Sequence, residues 1–226
     1  MKMNTLDIYN LGLIEYKKAL DLQYFMLEKR ISNQINDSLL LLEHPPTITI
    51  GRSGKKANLL ISDNHLKDRN IEFFETNRGG DITYHGPGQI VCYPIIDLNN
   101  HTKDVHKYLR DLEEVIIETL GEFNIEGRRV EGLTGVWVKR SKIASIGVGI
   151  KRWVTYHGLA INVNTDLDFF DLIIPCGIND VKMTSIKNHN NLKNEVDIES
   201  VNDIVVKNFL SKYGYTKTVN RPDLPN

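Results

Sequence analysis

Apolar positions recur along this chain with two distinct periods. Leu13, Tyr16, Ala19, Leu20, Tyr24, Leu27 and Ile31 stand at helical spacing with charged residues between them, which predicts an amphipathic helix over 13–31. A second run predicts a helix over 105–123, with Asp104 as its N-cap and an apolar face that includes Tyr108, Leu112, Val115, Ile116 and Leu120. A third, built on Ile198, Val201, Val205 and Phe209, predicts a helix over 197–213. Between the helices the period shortens. Segments 6–9, 38–43, 47–50, 71–75, 90–98, 134–138, 142–150 and 154–163 read as strands, with 134–150 forming a hairpin. Residues 53–69 are polar and read as loop, and 181–186 as a short extended or turn segment. The tail Pro222-Asp223-Leu224-Pro225-Asn226 is expected to fray. No repeat or linker divides the chain, so one α+β domain over residues 1–226 is expected, a mixed or antiparallel sheet with flanking helices.

One stretch fits neither period. Arg78-Gly79-Gly80-Asp81-Ile82-Thr83-Tyr84-His85-Gly86-Pro87-Gly88-Gln89 carries four glycines and a proline, which argues against helix or regular strand. It lacks the Gly-Lys-Ser/Thr ending of a phosphate loop, and no helix follows it as a dinucleotide fingerprint requires. Either it is a long hairpin connection, or its bare backbone passes close to a ligand.

Composition narrows the classes. Hydrophobic residues make up 41% and charged residues 25%, the mix of a globular protein able to fold without staples. A net charge of -1 excludes a globally basic nucleic-acid binder. Yet Arg128, Arg129, Lys139, Arg140, Lys142, Lys151 and Arg152 fall within 25 positions against one acid, Glu131, so the segment is either a solvated surface or a dock for an acidic partner. The N-terminus lacks a signal-peptide core and no apolar run suits a membrane span, so a cytoplasmic location without membrane partners is expected. With two cysteines, Cys92 and Cys176, neither a disulfide framework nor a metal site is expected. Cys92, inside Ile90–Ile96, reads as core.

Cys176 reads differently. Pro175 precedes it and Gly177 follows, so it sits on a sharp, bare turn after the apolar run Phe169–Ile174. A buried structural cysteine and a nucleophile are both compatible with that turn. A nucleophile needs a charge or base beside it, and Lys142 is the upstream candidate.

The stretches HPPTITIGR (44–52), RGGDITYHGPGQIVCYPIIDL (78–98), TGVWV (134–138), KIASIGVGIKRWVTYHGLAINVNTDL (142–167) and IIPCGI (173–178) closely resemble the octanoyltransferase family, also called lipoyl(octanoyl) transferase or lipoate-protein ligase B. The match runs in order from about residue 9 to 187. The resemblance implies transfer of an octanoyl group from octanoyl-acyl carrier protein to a specific lysine of lipoyl domains. These belong to 2-oxoacid dehydrogenases and the glycine cleavage H protein, and the transfer is the first step of endogenous lipoate synthesis. It implies no cofactor, and a fold shared with biotin and lipoate protein ligases. It places Cys176 as the acyl-thioester nucleophile and Lys142 as the lysine that activates the thiol and moves protons. Arg78, Gly79, Gly80, Asp81, Ile82, Thr83, Tyr84 and His85, with Ser145, Ile146, Gly147, Gly158, Leu159 and Ala160, fall where the family binds the acyl substrate.

The residues suit that chemistry. Thioester exchange onto a cysteine needs no ATP. Backbone N–H groups around Cys176 and Gly177 are candidate oxyanion donors. Tyr84 and His85 are expected to wall an apolar slot, where each buried methylene contributes about 0.8 kcal/mol. His85 and His157 either orient substrate or are structural. The rival readings are an ATP-dependent lipoate ligase on the same fold and a carrier-binding module without turnover.

Overall fold

The computed structural model describes residues 5–178, 181–189 and 195–221. Its larger sheet contains β1 (Thr5–Leu13), β2 (Asp37–Glu43), β6 (Gln89–Ile95), β7 (Gly127–Arg128), β8 (Val136–Val138), β9 (Ser141–Lys151), β10 (Val154–Asn162), β11 (Lys182–Met183) and β12 (Lys217–Asn220). They run in the order β12-β1-β2-β6-β10-β9-β8-β7, with β11 beside β9. β1 lies parallel to both its neighbours and β11 is parallel to β9, while the other pairs are antiparallel. A smaller sheet is built from β3 (Thr47–Ile50), β4 (Glu72–Glu75) and β5 (Ile82–His85), with β3 in the middle. The architecture is the expected α+β arrangement with a mixed sheet.

Burial on both faces explains why β2 reads as an unbroken apolar run. Leu39 and Leu41 face a core shared with α3 (Val105–Gly121) and α5 (Ile198–Tyr213). Leu40 and Leu42 face the opposite core, under α1 (Tyr16–Ile31). β6 alternates in the same way: Ile90 and Cys92 point to the first core, Val91, Tyr93 and Ile95 to the second. Cys92 is fully buried, as its surroundings in the sequence implied. Both long helices on this side are capped, the first as the sequence implied. Asp104 accepts from Lys107 N–H at 3.0 Å, and Asp197 accepts from the N–H groups of Glu199 and Ser200.

Six elements depart from the sequence reading. Leu13 is 62% exposed and ends β1, so α1 starts three residues later than its spacing suggested. Within 53–69, Ser62 caps a short helix, α2 (Asp63–Asp68), too brief to show a period. The glycine-rich stretch contains a strand after all. Its glycines flank β5 on either side, leaving Ile82–His85 free to pair with β3. Short elements β7, β12 and α4 (Ile186–His189) carry too few residues for any pattern. The expected fraying of 222–226 lies outside the described residues. No helix among the described residues is long and apolar enough to cross a membrane.

Candidate active site

Cys176 occupies a backbone conformation rare for a residue with a side chain, φ 59 and ψ 16, and Gly177 follows at φ 66. Pro175 supplies the fixed φ before this reversal. A Cβ on Gly177 would lie 2.4 Å from Asp81 Oδ2, so only glycine lets the two loops meet. Asp81 is itself pinned: its carboxylate accepts from Ile82 N–H at 2.6 Å and from Asn58 Nδ2 at 2.8 Å. Asn58 also accepts Ile174 N–H through its carbonyl at 2.8 Å. One asparagine thus ties the cysteine turn to the glycine-rich loop. No motif in the sequence had singled it out.

Lys142 comes from the start of β9 and is 2% exposed. Its Nζ donates to Cys176 Sγ at 3.0 Å and to Thr134 O at 3.0 Å. The Trp137 ring lies 4.9 Å from the same nitrogen. A register shift between Val136 and Trp137 re-aims this end of β8 against β9. Gly135, at φ 129, leaves the lysine its path, since a Cβ there would sit 2.7 Å from Lys142 Cε. Its N–H donates to Glu113 Oε1 at 3.1 Å. Glu113 is fully buried and held by Arg110 and Arg129. A helix carboxylate therefore secures the turn whose carbonyl receives the lysine.

The pair opens onto a cavity of about 400 Å³ between the two sheets. Arg78, Gly80, Asp81, Ile82, Thr83 and His85 line one wall, and Ser145, Ile146, Gly147, Gly158, Leu159 and Ala160 the other. Two of the expected binding residues are not on its surface. Gly79 instead donates its N–H to Val148 O at 2.8 Å, joining the glycine-rich loop to β9. Tyr84 points the opposite way from His85, because neighbours on a strand face opposite sides. It stacks on Phe169 at 4.8 Å in the core under the smaller sheet, so it does not wall the slot. The Gly177 N–H is committed to Ile174 O at 2.9 Å, which removes it from the expected oxyanion donors in this conformation. Sequence reasoning missed Tyr16 and Tyr93, which also reach the cavity. Their signal was no more than core-like aromatic spacing.

Arg78 is a second buried cation. Its guanidinium donates to Thr49 O at 2.7 Å and Thr49 Oγ1 at 2.9 Å. Burial pulls its proton affinity below the ordinary value, while Tyr16, Cys176, Tyr93 and Asp81 act in the opposite direction. Part of the basic run is paired within the chain. Arg129 engages Glu113 and Glu114, Arg128 donates to Lys139 O, and Lys151 pairs with Glu28.

His85 and His157 line the cavity, and His44 packs edge-on against His85 behind it. Burial lowers His44 to about 4 and His157 to about 3, and holds His85 well below the usual imidazole value. All three are neutral in the fold at pH 7 and must take up protons when the chain unfolds in acid. Their folded values lie below the unfolded one, so the stability they carry is present above about pH 6.5 and declines as pH falls toward the folded values. Each imidazole contributes a slope of about 1.4 kcal/mol per pH unit in that window. Urea unfolding followed from pH 7 to pH 4.5 is expected to show a steep loss of stability, relieved in part by His44→Gln. A flat profile over that range would mean that these rings are solvated.

Residues 15–210 match the lipoyl protein ligase A/B catalytic-domain family. An octanoyltransferase of Solibacter usitatus is 52% identical over 78% of this chain and 80% of its own length. One from Cytophaga hutchinsonii is 43% identical over 91% of both. This chain belongs to the octanoyltransferase family. The octanoyltransferase fold is also found in a crystal structure of lipoate-protein ligase A bound with ATP, with a TM-score of 0.77 at 16% identity over 97% of this chain and 89% of that one. Biotin protein ligase from Aquifex aeolicus is more distant, with a TM-score of 0.53 at 13% identity over 94% of this chain and 70% of that one. At such identities the ligases share the octanoyltransferase architecture, and nothing about substrate follows from them.

Proposed function

We propose that this protein transfers an octanoyl group from octanoyl-acyl carrier protein to the lysine of lipoyl domains through a Cys176 thioester, the first step of lipoate synthesis. The observation that supports it is the 3.0 Å contact between Lys142 Nζ and Cys176 Sγ at the mouth of a slot between the sheets. The Cys176 thiolate attacks the carrier thioester carbonyl, and the Lys142 ammonium stabilises that anion beforehand. The departing carrier thiolate takes the lysine's proton and leaves as a thiol. The now neutral Lys142 accepts a proton from the incoming amine as it attacks the acyl-enzyme, and the cysteine departs as thiolate. The cycle returns to its starting charge state with no external acid or base.

The acceptors under this reading are lipoyl domains of 2-oxoacid dehydrogenases and the glycine cleavage H protein. We read residues 1–226 as one catalytic unit acting in the cytoplasm. The acidic carrier docks on exposed basic residues at the Lys142 end of β9: Lys139 and Arg140, with Lys182 on the strand that pairs with Ser141. An ATP-dependent ligase is the weaker reading, since the relatives at 42–52% identity are octanoyltransferases and the ligase likeness is one of fold.

Intact-mass measurement after incubation with octanoyl carrier protein is expected to show one added octanoyl group, labile to hydroxylamine. Transfer that proceeds with no such adduct under trapping conditions would dismiss the covalent route. Product from free octanoate and ATP, with none from the octanoyl carrier, would establish the ligase reading instead.

A further inference from the structure

Most polar groups around the slot are matched to protein partners. His44 donates from Nδ1 to Ile14 O at 2.8 Å, which leaves its Nε2 to accept from Tyr93 OH at 2.9 Å. His85 donates from Nδ1 to Gln89 Oε1 at 2.8 Å, and its Nε2 lies 3.4 Å from Thr49 Oγ1. Gln89 in turn donates to Tyr84 O and Asn162 Oδ1, which fixes its amide and hence the His85 tautomer. His157 is an exception. It is 1% exposed, and neither of its ring nitrogens has a hydrogen-bonding partner among the described residues.

The backbone shows how this ring reaches the cavity. His157 lies on β10 at φ 55, opposite Val148 of β9. In a regular strand its side chain would point away from that of Tyr156. The left-handed conformation brings it instead against Tyr156, with ring centres 4.8 Å apart, and edge-on to Tyr93 at 6.3 Å. Its N–H is held by Gln23 Oε1 at 2.7 Å, and Gln23 Nε2 is also buried without a partner. Such a strained residue persists only where its surroundings hold it. His157 lines the same cavity as Cys176 and Lys142.

A neutral imidazole offers one donor and one acceptor, and burying both unmatched is costly. An alkyl chain supplies neither. We propose that His157 closes the acyl slot and sets chain length, accepting chains that leave its ring a hydrogen-bonding partner at the inner end and rejecting those long enough to cover it with methylene. This rests on the acyl-transfer reading above. It carries a second consequence: a chain bearing a hydroxyl on its last carbon brings its own partner to the ring.

The test compares kcat/KM for octanoyl, decanoyl, dodecanoyl and 8-hydroxyoctanoyl carrier thioesters, in the wild-type enzyme and in His157→Leu and His157→Gln. Octanoyl turnover by the wild type tests the transferase reading by itself; the ratios between chains test His157. In the wild type, dodecanoyl is expected to fall at least about tenfold below octanoyl, and 8-hydroxyoctanoyl to stay within about threefold of it. His157→Leu conserves bulk and removes both polar atoms, so the length profile is expected to flatten and the hydroxylated chain to lose about tenfold relative to octanoyl. His157→Gln keeps a donor and an acceptor and is expected to keep the wild-type pattern. Identical ratios in wild type and His157→Leu would overturn the proposal. Should His157→Leu not fold, the wild-type ratios decide: a hydroxylated chain rejected more than about twentyfold means that an apolar wall, not an imidazole, ends the slot.

Discussion

Cys176→Ala is expected to abolish octanoyl transfer, with kcat falling at least about 10⁴-fold, because no other thiol lines the slot among the described residues. The fold is expected to survive. Alanine enters a position whose φ of 59 the cysteine already endures, and the turn is held by Pro175, Asn58 and Asp81 rather than by sulfur. An unchanged melting temperature with lost transfer and lost acyl adduct is the full expected result. Turnover within about tenfold of wild type would remove the covalent intermediate altogether. In that event direct attack of the acceptor amine on the carrier thioester would have to replace it.

Lys142→Met preserves length and burial while deleting the charge and the proton. Loss of a positioned acid–base group is worth about 10²–10⁴-fold, and here one lysine serves both half-reactions. Single-turnover acylation and deacylation, measured separately, are therefore both expected to slow. Normal acylation with slow deacylation would restrict Lys142 to the amine step. Rates within about threefold of wild type in both would remove it from the chemistry.

The long strands of the large sheet were legible because burial on one or both faces imposes a period or an unbroken apolar run, as in β2 and β6. The three long helices were legible for the same reason, and so was Asp104 as a cap. What was hidden depended on contacts between distant segments. Cys176 and Lys142 are 34 positions apart, and only the long motifs shared with relatives brought them together in the sequence. Asn58 sits in a polar stretch with no periodicity, yet it fastens two loops. Tyr84 was assigned to the slot because β5 was not recognised as a strand. Once it is a strand, alternation sends Tyr84 and His85 to opposite sides. The basic run over 128–152 could not be sorted by eye either. Its acids, Glu28, Glu113 and Glu114, come from helices elsewhere in the chain.

Trp137 gives the reaction an optical witness. Its indole, 3% exposed, lies against the Lys142 nitrogen, while the chain's other tryptophan, Trp153, stands 36% exposed on the far turn between β9 and β10. Emission from a shielded indole follows the charge beside it. Under the proposed mechanism, loss of the Lys142 proton to the leaving thiolate is expected to change the emission of this one ring within a single turnover, without a label.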